Sequence, residues 1–130
     1  MTRGRTAGAL AGALLVLAAA GMHGSAMAGN GPTTIGVRNG LSERSFALSR
    51  TKVNPGPAII QYENTGMDPH DLKVQRKGDD EVLETGEKQP DEVGTLNLRL
   101  KADSKYLLWC SLDGHQESGM EASLRVRKRR

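Results

Sequence analysis

The chain has 130 residues, 37% of them hydrophobic and only 3% aromatic, with 18 Lys and Arg against 15 Asp and Glu and a formal charge of +3. That length supports one domain with a modest core, and the scarcity of aromatics leaves no surface for base stacking, which argues against nucleic acid as a partner. The positive excess sits at the two ends: without Arg3, Arg5, Arg125, Arg127, Lys128, Arg129 and Arg130, the body carries 11 basic against 15 acidic residues.

In chain order, Arg3 and Arg5 precede an apolar run from about Ala7 to Met22, then a small-residue motif, Ala26-Met27-Ala28. This is the pattern of an export signal cleaved after residue 28. An uncleaved anchor is the alternative, but the run falls short of the ~20 apolar residues of a spanning helix. Residues 1–28 are therefore assigned as a cleaved signal peptide and 29–130 as one domain with a basic C-terminal tail, destined for the periplasm, the cell surface or the medium. Arg3-Gly4-Arg5 is not a twin-arginine pair, so export in the unfolded state is expected, with any metal loaded afterwards.

The remainder reads as strands. Thr33 to Val37 is a short β-prone run, and Ser45 to Leu48 alternates before the turn signal Asn54-Pro55-Gly56-Pro57. Ala58 to Glu63 reads as a buried strand that stops at Asn64-Thr65-Gly66. After His70, Leu72 and Val74 alternate with Asp71, Lys73 and Gln75, the signature of a half-buried strand. The polar stretch from Asp79 to Glu92 reads as a solvated loop with one helical turn. Leu96, Leu98 and Leu100 alternate again, Tyr106 to Trp109 run into Cys110, and Ala122, Leu124 and Val126 close the pattern. Seven or eight short strands between Gly, Pro and Asn turns predict an all-β, antiparallel Greek-key sandwich.

The most specific signal is Cys110, His115 and Met120 at spacings of five and five. A thiolate, two imidazoles and a weak axial thioether are the donors of a mononuclear blue copper site. The chain has 3 histidines, and His23 lies in the export segment, which leaves His70 as the second imidazole. A lone cysteine outside the cytoplasm cannot form an internal disulfide, so Cys110 must be buried, paired between chains or ligated. A merely buried thiol would leave the following His and Met at fixed steps without a reason.

These residues resemble the cupredoxins, the small blue copper electron carriers related to plastocyanin and azurin. The resemblance rests on Asn64 to His70, Gly94 to Leu100, Tyr106 to Met120 and the closing strand, and the Cys-x4-His-x4-Met spacing is most similar to auracyanin and rusticyanin. It implies one type 1 copper ion held by His70, Cys110, His115 and Met120, with His115 as the electron port inside an apolar patch to which Met67 and Leu112 contribute. It also implies that Asp71 and Ser111 hydrogen-bond the two ligand segments together. Two positions depart from the usual pattern. Asp71 stands where a small neutral polar residue is common, and Asp113 stands where many relatives with this loop length have proline before Gly114.

The expected function is single-electron transfer between redox partner proteins by a monomer, with the alternative of copper storage or delivery by the same residues. An enzyme is not expected. Cys110 and His115 as nucleophile and base would lack an oxyanion site and leave Met120 idle, and methionine is a poor zinc ligand. The basic tail, Arg125 to Arg130, is a candidate for weak contact with an anionic membrane surface.

Overall fold

The computed structural model describes residues 31–130. The signal-peptide reading and His23 lie outside the described residues. Nine strands follow in order: β1 (Thr33–Asn39), β2 (Phe46–Leu48), β3 (Lys52–Val53), β4 (Gly56–Glu63), β5 (Lys73–Arg76), β6 (Val82–Glu84), β7 (Val93–Leu100), β8 (Ser104–Trp109) and β9 (Glu121–Val126). They form a four-stranded sheet ordered β2-β1-β4-β7 and a five-stranded sheet ordered β3-β9-β8-β5-β6. Among the described residues there is no helix.

Period-2 alternation builds both layers. On β4, Ala58, Ile60 and Tyr62 point inward while Pro57, Gln61 and Glu63 face out. Ile35 and Val37 of β1 and Leu96 and Leu100 of β7 flank them on the same face. Leu72, Val74, Tyr106, Leu108, Leu124 and Val126 supply the opposite layer, and the two sets form one core cluster. Each fully buried Leu or Ile contributes about 1.5–3 kcal/mol. Phe46 closes one edge by meeting Tyr62 edge-on, with ring centroids 5.6 Å apart and planes at 85°.

The all-β sandwich is as expected, but its sheets are mixed rather than wholly antiparallel. β1 lies parallel to β4, with Ile35 opposite Ile60, and β3 lies parallel to β9. Alternation reports which face a residue takes and says nothing about strand direction, so this was not legible. The stretch from Asp79 to Glu92 also departs from expectation. It holds no helical turn and contains β6, which pairs antiparallel with β5 through Val74 and Leu83. Leu83 packs against the core while Val82 is exposed, so a single apolar anchor set this edge strand.

The register places the functional end. Trp109, the last residue of β8, sits opposite Lys73 of β5 on one side and Glu121 of β9 on the other. Cys110, which follows β8, the segment entering β5 and Met120, which precedes β9, therefore emerge together. At the other end, Arg76 pairs with Tyr106, and Ser104 with Val126, roughly 17 Å away along β8 at ~3.4 Å per residue.

Candidate metal centre

Three predicted donors converge. His70, Cys110 and His115 are buried, and one donor atom from each lies within 4.8 Å of the others. His70 Nδ1 and His115 Nδ1 are 3.1 Å apart, and Cys110 Sγ lies 3.5 Å from His115 Nδ1. Donors that share one ion at about 2.0–2.3 Å lie roughly 3–4 Å from each other. The imidazole planes are tilted by 57° with centroids 4.9 Å apart, so the rings do not stack in parallel. Met120 is fully buried beside them, its amide donating to the carbonyl of His115 at 3.0 Å and its carbonyl accepting from the amide of Cys110 at 3.1 Å.

The loop from Cys110 to Met120 folds onto itself, which fixes the spacing of the motif in space. The amide of His115 donates to Leu112 O at 3.0 Å, that of Ser118 to Gly114 O at 3.1 Å and that of Gly119 to Gln116 O at 2.9 Å. Gly114 and Gly119 take φ of 75° and 103°, a region that favours glycine. These bonds close the turn without a proline at Asp113. Arg44 reaches across from the loop between β1 and β2 and donates to Ser118 Oγ at 3.2 Å.

On the other side, His70 is held by a reciprocal bridge to Lys88, with bonds of 3.1 and 2.7 Å. Asn64, fully buried, organises the approach: its Nδ2 donates to Asp68 O and Lys88 O, each at 2.8 Å, and its Oδ1 accepts from the amide of Gly66 at 3.0 Å.

The two segments are tied by Asp71. Its carboxylate accepts from the Ser111 amide at 2.6 Å and from the Ser111 hydroxyl, while its own amide donates to Cys110 Sγ at 3.5 Å. This is the linkage expected for Asp71 and Ser111. One residue the sequence reading missed also touches the site: Glu43, on the loop between β1 and β2, has Oε1 2.9 Å from His70 Nε2. A lone acid 27 residues before the histidine carries no spacing signal.

Electrostatics set the resting state of the donors. Burial pushes the Cys110 thiol up, opposed by the Asp71 and Leu112 amides that face the sulfur, so metal binding must expel its proton. Burial, then the charge of Arg44 and then His70, hold His115 below its ordinary value, which keeps the ring neutral and able to ligate. The amide of Asp68, then His70, hold the Glu43 carboxyl below the usual carboxylate range. Of the four predicted donors, His70, Cys110 and Met120 have 0% exposure, and His115 alone reaches the surface, at 8%.

The architecture is similar to that of solved cupredoxin structures. Auracyanin B superposes with a TM-score of 0.63 at 20% identity, covering 75% of this chain and 91% of that one. Auracyanin A of Chloroflexus aurantiacus, described as a "blue" copper protein, gives 0.61 at 20% identity over 75% of this chain and all of its own. Rusticyanin of Thiobacillus ferrooxidans gives 0.58 at 19% identity over 75% and 79%. No protein-family model and no curated protein matches the sequence. The chain therefore has the cupredoxin fold, shared with the auracyanins and rusticyanin at identities of 20% or less.

Proposed function

We propose that this protein is a blue copper carrier of single electrons working outside the cytoplasmic membrane, with His70, Cys110, His115 and Met120 as the ligands of one copper ion. The observation that carries the reading is the convergence of two Nδ1 atoms and one Sγ in a buried pocket at the end of a cupredoxin-type sandwich. The residues fit the ion: a soft thiolate and two neutral imidazoles suit both copper oxidation states, and the Met120 thioether would add a weak fourth donor. Bound there, copper supplies the reversible one-electron couple.

The chain does the rest. Strands β5, β8 and β9 and the closed 110–120 loop fix the donors before the ion arrives, so little geometry needs to change with oxidation state. Asp71, through the Ser111 amide and the Cys110 sulfur, holds the two ligand segments in register. Burial of His70, Cys110 and Met120 keeps water from the sulfur and leaves His115 as the ring through which a partner reaches the centre. Met67, 86% exposed on the loop before His70, and Leu112 supply apolar surface at this end for a redox partner. An export signal read from Arg3 to Ala28 supports the location.

At the opposite end, Lys52, Arg76, Lys77, Lys105, Arg125 and Arg127 line one groove, continued by the tail to Arg130. This basic pole suits weak contact with an anionic membrane surface, with the metal end turned away. The carrier function is tested by voltammetry and rapid mixing of the copper-loaded protein. Reversible one-electron reduction, fast with a protein donor, is expected. Slow reduction, with copper passing readily to an acceptor, would instead mark a copper-delivery protein.

A further inference from the structure

Glu43 occupies a built position. Its Oε1 accepts from the amides of Met67 and Asp68, each at 2.9 Å, and faces Nε2 of fully buried His70 at 2.9 Å. The Glu43 side chain itself is 31% exposed, so a surface carboxylate reaches inward to the back of a buried imidazole. The loop carrying it is anchored: Asn39 Nδ2 donates to the carbonyl of Glu43 at 2.9 Å, and Asn39 Oδ1 accepts from the Thr65 amide at 3.1 Å and the Tyr62 hydroxyl at 3.2 Å. At Gly66 a Cβ would collide with the Glu43 carboxylate and with Asn39 Nδ2, so the two loops approach as closely as they do because residue 66 has no side chain.

We propose that Glu43 is a positioning residue for the metal centre: by accepting the Nε2 proton of His70 it commits Nδ1 as the bare, metal-facing nitrogen, and its charge favours the oxidised ion. The inference rests on the copper reading for its second half only; the first concerns the metal-free protein. A neutral imidazole carries one ring proton, and the partner of one nitrogen decides which nitrogen is free. Acidic partners of this kind orient metal-binding imidazoles and raise their basicity. The 3.1 Å between His70 Nδ1 and His115 Nδ1 is the spacing of two donors turned to one ion, and Glu43 sits on the opposite nitrogen of His70.

The test uses the protein with Glu43→Gln and Glu43→Asp. The Gln side chain keeps an acceptor for the Met67 and Asp68 amides but removes the charge. In the metal-free wild type, nitrogen–proton correlation spectra of the imidazoles are expected to show His70 protonated at Nε2, and a His70 protonated at Nδ1 overturns the proposal. In copper-loaded protein, Glu43→Gln is expected to bind Cu(II) about 10–100-fold more weakly, with Glu43→Asp recovering part of the loss. A tenfold loss confined to the oxidised form raises the reduction potential by about 59 mV. An unchanged potential and Cu(II) affinity, with only the melting temperature lowered, would make Glu43 a loop staple and nothing more. Failure of the wild type to form a blue centre would remove the copper reading, while the His70 tautomer would still decide the pairing with Glu43.

Discussion

Replacing Asp71 by asparagine tests how the sandwich would tune a copper ion held by the proposed donors. Asp71 is 6% exposed and accepts from both the amide and the hydroxyl of Ser111, the residue after the thiol ligand. Asparagine retains an acceptor for the Ser111 amide and loses the charge. Asp71 follows His70, and its carboxylate bonds Ser111, which follows Cys110, so the charge lies on the order of 7 Å, about two Cα–Cα steps, from the point where the donors meet. At an effective dielectric of about 20, a unit charge at ~7 Å contributes about 2.4 kcal/mol in favour of the more positive oxidation state. For a one-electron couple this converts to roughly 100 mV. Voltammetry of copper-loaded Asp71→Asn is therefore expected to give a potential about 100 mV above wild type. Burial makes the shift weakly dependent on salt. A potential that stays put or falls, with copper still bound, would refute the electrostatic reasoning.

Met120→Leu is expected to keep copper and raise the potential by roughly 59 mV for each 1.4 kcal/mol of axial bonding to Cu(II) that is lost; an unchanged voltammogram would remove Met120 from the ligand set. Tyr62→Phe removes a hydroxyl that donates to Asn39 Oδ1 at 3.2 Å, at a cost of about 0.5–1.5 kcal/mol near neutral pH in urea unfolding. Burial raises the Tyr62 phenol above its ordinary 10.0, so its contribution is complete below that pH and is lost as pH climbs past it, because the unfolded phenol ionises first. The variant's stability should accordingly decline less steeply than wild type above pH 10, and parallel curves would refute this. Arg127→Glu with Lys128→Glu should weaken sedimentation with phosphatidylserine vesicles by at least about 5-fold per cation removed, and binding indifferent to both charge and salt would exclude the basic pole as the contact.

Much of the site could be read from the chain because its signals are local. Cys110, His115 and Met120 sit on one loop, and the loop's own hydrogen bonds convert sequence spacing into spatial proximity. His70 followed from the shortage of histidines, and the link between Asp71 and Ser111 from the resemblance to the cupredoxins. Ala58 to Glu63, an apolar run bounded by turn residues, and the alternating Leu96 to Leu100 were legible for the same reason. What escaped depends on partners distant in sequence. β6 exists because β5 offers an edge, and the parallel run of β1 beside β4 leaves no trace in the alternation of either strand. Glu43 escaped because a polar loop tolerates acids anywhere; only folding brings it to His70.

The most direct test adds Cu(II) to the purified protein and records visible absorption and paramagnetic resonance for wild type and Cys110→Ser. One copper ion per chain is expected, with an intense sulfur-to-copper band in the wild type that is absent from the variant. A wild type that stays colourless, or a Cys110→Ser protein that turns blue, would contradict the assignment.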